Sequence, residues 1–315
     1  MLEMVFWVIV FIVSLAVLIK ASSIFTDAAE EVGLFFGMSS FIIGVTIVAF
    51  GTSLPELISG FISVYYGAPE IIIGNVLGAN ISNILLILGL AAIVSKKIRL
   101  TRELLNIDLP IMVAAAFLGA LIVFDGIITL PESLLLIVFF IVYLFYTIST
   151  DNKIEEKKKA KKKVLRKRVV LYLCLGAVLI YFGAEYTIQS VIHLSEIFNI
   201  GTGIIAATIF SFGTTLPELT VSLTAARKGN AEIAIGNIIG SNIFNILAVI
   251  GFPALMGTVL FGAIVFNVPM FLIAVLLGAT VLFFFITQDK EVTRWEGYIL
   301  IIFYIFFITK MLGLI

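Results

Sequence analysis

The 315 residues are 61% hydrophobic and 13% charged, with a formal net charge of +0 and a mean hydropathy of +1.20. A soluble domain carries about a quarter charged residues, so a water-soluble globular fold is excluded, and the neutral balance gives no support for a nucleic-acid partner. The short alternating segments of a membrane β-barrel are absent, and the single cysteine, Cys174, rules out an internal disulfide.

Apolar stretches of about 20 residues, enough to cross a ~30 Å hydrocarbon core, recur along the whole chain. They predict ten membrane helices, at approximately 4–22, 40–65, 70–94, 107–124, 127–149, 168–192, 202–226, 231–256, 264–287 and 295–314. Glu3 is the only charge ahead of the first apolar run, which therefore reads as a span and not as a cleavable signal peptide. Cys174 falls in the sixth apolar run and reads as a packed thiol.

The connections holding Lys96, Lys97, Arg99 and Arg102, then Lys153 to Arg168, then Arg227 and Lys228, then Lys290 and Arg294, alternate with connections that have no base; Lys20 falls with the basic ones. Of 20 Lys and Arg, only Lys310 lies on the other side. Basic loops mark the cytoplasmic face, so a multi-pass cell-membrane protein with both termini outside is expected. The polar stretch Asp151 to Lys163 separates five spans from five. It reads as a solvated, topology-setting loop, with binding to anionic lipid as the alternative. The predicted organisation is a first half over 1–150, a basic cytoplasmic linker over 151–167 and a second half over 168–315. Beyond the lipid bilayer, no obligate protein partner is evident.

A shift of 162 residues lays the second and third spans on the seventh and eighth without a gap, with 24 of 50 positions between Phe41 and Leu90 identical. Phe50-Gly51-Thr52 meets Phe212-Gly213-Thr214, Leu54-Pro55-Glu56-Leu57 meets Leu216-Pro217-Glu218-Leu219, and Asn80 and Asn83 meet Asn242 and Asn245. Shared apolar composition does not produce matched Pro, Glu, Asn and Gly, so the repeat is real. Each half has an odd number of spans, so the halves enter the membrane from opposite faces. Secondary transporters are built this way, with the substrate site where the repeats meet.

The repeated elements carry oxygen chemistry. Pro55 and Pro217 each remove a helical donor and free carbonyls in the preceding turn, and Thr52, Ser53, Thr214 and Thr215 add hydroxyls. Glu56 and Glu218 place a carboxylate deep in each interrupted span, where a charge costs about 2.5–3.5 kcal/mol or more. No base lies at similar depth in these spans, so a bound cation is the expected compensation. Gly74 and Gly78, like Gly236 and Gly240, permit close helix approach. Asn83 and Asn245, one i, i+3 step beyond Asn80 and Asn242, offer neutral carbonyl oxygens; Asn80 and Asn242 read equally as ligands or as interhelical bonds, and Asn75 and Asn237 as structural. An all-oxygen set without thiolate or imidazole suits hard cations: Ca2+, which takes 6–8 oxygens in flexible geometry, and Na+ of similar size, more than Mg2+.

These motifs, GTSLPEL with GTTLPEL and GNVLGANISNILLILG with GNIIGSNIFNILAVIG, resemble the calcium/cation antiporter superfamily and within it the prokaryotic Na+/Ca2+ exchangers. The resemblance extends over all the spans, and its specific motifs cover about a third of the chain. It implies an all-α membrane protein with ten transmembrane helices in two inverted five-helix repeats. Ions would be held centrally by spans 2, 3, 7 and 8, and spans 1 and 6 would slide over the core in alternating access. It further implies that Glu56 and Glu218 ligate both ions and that Asn83 and Asn245 complete the equatorial set. Thr52, Ser53, Thr214, Thr215 and Ser241 would serve Na+, with the carbonyls of Ala49 and Ser211. Asn245 stands where K+-dependent members, and some prokaryotic ones, carry Asp, which implies K+-independence, and Ala79 stands where many relatives have Ser. The transported ions would be Ca2+ and Na+, with no cofactor.

Three other functions compete on the sequence. H+/Ca2+ antiport on the same fold is the runner-up, although such exchangers usually carry Glu near the GN segment. A passive cation channel needs no pair of interrupted helices. An intramembrane protease needs a Ser-His pair or two intramembrane Asp, and neither occupies the repeats. Among the remaining charged residues, Glu70 and Glu232 suit helix N-termini, Glu185 reads as a possible accessory acid inside the sixth span, and His193 as an interfacial residue.

Overall fold

The structure is a computed structural model that describes residues 2–35, 49–95, 97–99, 107–151, 167–227 and 231–314. Helix α1 (Leu2–Phe35) is followed by α2 (Ala49–Thr52), α3 (Leu54–Tyr65), α4 (Pro69–Ser82), a π-helical turn at Asn83–Ile87 and α5 (Leu88–Ser95). After strand β1 (Lys97–Arg99) come α6 (Leu109–Val123), β2 (Ile127–Ile128) and α7 (Leu130–Asp151). The second half runs α8 (Lys167–Phe198), α9 (Thr202–Ile205), a π turn at Ala206–Phe210, α10 (Ser211–Thr214) and α11 (Leu216–Arg227). It continues with α12 (Ala231–Phe244), a π turn at Asn245–Ile250, α13 (Gly251–Phe261), β3 (Ile264–Val265), α14 (Met270–Ile286), β4 (Glu291–Thr293) and α15 (Arg294–Met311). The lysine-rich linker and the first part of the second predicted span lie outside the described residues.

Length and apolarity make this a multi-pass helical membrane protein. Among the described residues, helices over Leu2–Ala29, Pro69–Ser95, Leu130–Thr147, Arg168–Phe198 and Ala234–Phe261 are long and apolar enough to cross a bilayer. The pair Thr202–Thr214 and Leu216–Arg227 forms a further span bent by 44°. Burial separates centre from periphery: 83% of the most apolar window of Pro69–Ser95 is inside the protein, against 22% for α1. On α1, Val5, Phe6, Ile9, Ile12 and Val13 are exposed, as expected of a lipid-facing helix, because hydrocarbon solvates them as well as protein does.

The apolar interior divides in two. One cluster joins α4–α7 to α11–α15. The other is built mainly from Phe11, Leu15, Leu18 and Ala21 on α1 with Ile180, Ala184, Ile188 and Val191 on α8. Gly183 lets the two helices touch, because a Cβ there would lie 2.9 Å from the Leu18 backbone. The α1–α8 pair is therefore a packed unit laid against the motif-bearing core.

Three local expectations are corrected. Helix α1 continues to Phe35 and α8 to Phe198, because no glycine or proline interrupts residues 20–32 or 184–198; lipid thickness sets the length of the apolar run, not of the helix. Two short antiparallel ribbons supplement the helices, pairing Lys97–Arg99 with Glu291–Thr293 and Ile127–Ile128 with Ile264–Val265, each joining one half to the other. Cys174 is exposed on α8 and not packed, since its helix turns that face away from α1.

Candidate cation-binding site

Each motif span breaks at the residue two before its proline. Ser53 (φ −94°, ψ 10°) and Thr215 (φ −81°, ψ 1°) sit in the bridge region of backbone space, and the helix restarts at Leu54 and Leu216. Helical bonding resumes at once, with Leu57 N–H to Ser53 O at 3.1 Å and Leu219 N–H to Thr215 O at 2.9 Å. Glu56 and Glu218 thereby fall in the first turns of the restarted helices, where unpaired backbone N–H groups and the helix dipole favour an anion. Both residues are buried, at 0% and 1% exposure, and close enough for their charges to repel. Such a pair is costly unless positive charge joins it.

The two breaks serve each other. Ser53 Oγ from the first half donates to Glu218 Oε1 of the second at 3.3 Å, and Thr52 also stands beside Glu218. Thr214 from the second half stands beside Glu56. The helix of Glu56 packs against the π turn that begins at Asn245, and the helix of Glu218 against the one that begins at Asn83.

The asparagines divide into two roles. Asn83 Nδ2 donates to Asn242 Oδ1 at 2.9 Å, and Asn245 Nδ2 donates to Asn80 Oδ1 at 3.1 Å. Asn80 Nδ2 in turn donates to the Asn242 carbonyl at 3.2 Å, and Asn242 Nδ2 rests 3.8 Å from Met112 Sδ on α6. With their donors held, Asn83 and Asn245 have Oδ1 atoms that are buried and without a hydrogen-bond partner among the described residues. Asn80 and Asn242 have their oxygens occupied, so they orient the other two. The sequence left these two open between ligand and interhelical bond, and both make hydrogen bonds across the two repeats.

Seven buried side-chain oxygens have no hydrogen-bond partner among the described residues: both of Glu56, Oε2 of Glu218, Oδ1 of Asn83 and Asn245, and Oγ of Ser59 and Ser241. Unmet acceptors of this number, two of the side chains anionic, are costly in a low-dielectric interior, and an all-oxygen set of this kind has the chemistry of hard-cation ligands. No group of three or more His, Cys, Asp and Glu exists among the described residues, so the charge on offer is that of two carboxylates.

Some expected ligands are otherwise engaged. Thr215 Oγ1 donates to Phe212 O at 3.1 Å. The Ser211 carbonyl accepts from Thr215 N–H at 3.0 Å and lies 3.2 Å from Thr214 Oγ1, a hydroxyl whose one proton is equally near Asn75 Oδ1. Ala49 opens α2, and Ala79 is buried without an oxygen on its side chain. The other expected acids are placed elsewhere. Glu70 opens α4, accepts from Thr202 Oγ1 at 2.8 Å and lines a cleft of about 510 Å3 with Asn267. Glu185 accepts from Tyr66 Oη and, at 2.7 Å, from Gln189 Nε2. His193 stacks on Trp7 at 4.0 Å. The Glu232 side chain lies outside the described residues. Sequence reading missed the three π turns and Met112, for neither a π turn nor a thioether contact leaves a mark in residue type.

The family model described as sodium/calcium exchanger protein matches residues 6–149 and 168–313. The sodium/calcium exchanger MaX1 of Methanosarcina acetivorans is 31% identical, with 96% of this chain and 97% of its own length aligned. A membrane protein of Methanocaldococcus jannaschii, MJ0091, is 32% identical over 96% of each chain. A solved structure of the sodium-calcium exchanger NCX_Mj superposes with a TM-score of 0.67 at 30% identity, covering 96% of this chain and 97% of that one.

Proposed function

The chain belongs to the sodium/calcium exchanger family, and on that premise we propose that it is a secondary antiporter exchanging Na+ for Ca2+ by alternating access. The observation that carries the reading is the set of unpartnered buried oxygens on Glu56, Glu218, Asn83, Asn245 and Ser241. Ca2+ is ligated by the two carboxylates with Asn83 and Asn245, and Asn80 and Asn242 hold those amides in register. Na+ uses the same carboxylates with Thr52, Ser53, Thr214 and Ser241, so the two ions exclude one another. Mutual exclusion at one site is what couples their movements in opposite directions.

The transport unit has ten spans in two inverted halves, 1–150 and 168–315, with the basic 151–167 linker in the cytoplasm and both termini outside. The alternation of basic and base-free connections supports this orientation. Exchange is electrogenic. Two carboxylates neutralise one Ca2+ or two Na+, so a further Na+ carries net charge, worth ~2.3 kcal/mol per 100 mV. It is K+-independent, a reading supported by Asn245, which stands where the K+-dependent members that the sequence resembles carry Asp.

The test compares driving ions in proteoliposomes. An outward Na+ gradient drives Ca2+ uptake without K+, and an inside-positive potential changes its rate. Uptake that ignores Na+ and follows a pH gradient identifies H+ as the coupling ion and overturns the Na+ assignment.

A further inference from the structure

Asn75 lies within the first repeat but makes its polar contact in the second. Its side chain is fully buried, and its Oδ1 accepts from Thr214 Oγ1 at 3.2 Å. Its position is rigid. Gly74 and Gly78 on the same helix press on the segment leading into the Thr214 break, with a Cβ at either falling 2.4 Å from Gly203 O or 2.2 Å from Ala207 O.

A threonine hydroxyl has one proton and two lone pairs. Thr214 Oγ1 stands beside the Glu56 carboxylate, neither oxygen of which has a partner among the described residues. Left to itself, the hydroxyl would donate to that anion, the strongest acceptor within reach. The proton would then occupy the space a cation needs. Two other acceptors lie within reach of the same proton: the Ser211 carbonyl at 3.2 Å, which already accepts from Thr215 N–H at 3.0 Å, and Asn75 Oδ1 at 3.2 Å.

The repeat partner differs. Asn237 Nδ2 donates to Ser222 Oγ at 3.0 Å, and the residue matching Ser222 in the first half is Gly60. Asn75 Nδ2 consequently has no partner among the described residues. The first repeat thus holds a buried amide whose donor is unmet and whose acceptor takes the Thr214 hydroxyl, a cost that packing alone does not explain.

We propose that Asn75 is a positioning residue for the Na+ form of the site: its Oδ1 holds the Thr214 hydroxyl proton away from Glu56, so that the Thr214 lone pairs and the carboxylate face a common cation seat. This rests on the reading of Thr214 as a Na+ ligand.

The test measures the Na+ concentration for half-maximal Na+-driven Ca2+ uptake, and the Ca2+ concentration for half-maximal Ca2+/Ca2+ exchange in Na+-free medium. Asn75→Ala raises the first by about 10-fold or more, as loss of an orienting partner does at ion sites, and raises the second by less. Asn75→Asp, which keeps the acceptor, restores the Na+ dependence, and Asn75→Ala adds nothing further on a Thr214→Ala background. Equal shifts in the two constants, or an Asn75→Asp variant as impaired as Asn75→Ala, overturn the proposal and leave Asn75 structural. A Thr214→Ala protein with unchanged Na+ dependence overturns the ligand reading beneath it. A Na+ shift in Thr214→Ala but not in Asn75→Ala overturns the role of Asn75 alone.

Discussion

Ser22 donates its hydroxyl to the carbonyl of Gly51 at 2.5 Å, the carbonyl whose helical donor would have been the N–H that Pro55 lacks. The first break therefore closes one of its freed acceptors with a side chain from α1, and does not turn it toward the ions. Thr26 completes the contact, since a Cβ on Gly51 would fall 1.9 Å from its Oγ1. At the matching position in the second half stands Ala184, whose side chain has no hydroxyl to make the same bond.

Ser22→Ala leaves the Gly51 carbonyl buried without that donor, and a lost buried hydrogen bond costs about 1–3 kcal/mol. The variant is expected to unfold at lower temperature in detergent. A midpoint equal to that of the parent protein means that the carbonyl has found another donor.

Gly78→Ala forces a methyl to within 2.2 Å of the Ala207 carbonyl oxygen. Backbone cannot yield as a flexible side chain does, so a loss of about 1–3 kcal/mol is expected. Gly278 on α14 meets nothing within 4 Å among the described residues, and Gly278→Ala serves as the tolerated control. Thermal unfolding of the two side by side checks the contrast; equal stability contradicts the close packing of α4 on the Ala207 turn.

Asn80→Ala and Asn242→Ala remove the acceptors that hold the amides of Asn245 and Asn83. The released amides rotate, and Ca2+ affinity is expected to fall about 10–100-fold while the carboxylates remain. Saturation of Na+-driven Ca2+ uptake reads this as a raised half-maximal concentration. No change in either variant contradicts the division between orienting and ligating asparagines.

Much of this architecture is legible in the sequence, for physical reasons that differ by element. The repeat shows because Pro, Glu and Asn are costly in a membrane helix, so their ungapped recurrence at Pro55 and Pro217 or Glu56 and Glu218 is informative. The breaks follow from proline stereochemistry. The separation of Asn83 from Asn80 is not legible: an i, i+3 pair shares a helix face, and only the amides of the opposite repeat decide which oxygens stay free. The π turns at Asn83 and Asn245 are equally silent, because the same residues form an α-helix with one hydrogen bond moved. Cys174 illustrates a third limit, since apolar runs look alike whether they face protein or lipid.

Orientation is open to direct chemistry. Asp125 and Asp289 are both exposed, in turns that the basic-loop pattern puts on opposite faces. On a Cys174→Ser background, Asp125→Cys is expected to react with a membrane-impermeant maleimide in intact cells, and Asp289→Cys only after permeabilisation. The reverse pattern would place both termini inside.

The measurement that bears most directly on the site is uptake of radioactive Ca2+ into Na+-loaded proteoliposomes diluted into Na+-free buffer, comparing the parent protein with Glu56→Gln and Glu218→Gln. Each substitution keeps the side-chain shape and removes one of the two charges. The expected result is rapid uptake by the parent protein and its abolition in both variants, with folding intact by size-exclusion profile. Na+-driven uptake that survives in either variant contradicts a single shared site built on the two carboxylates.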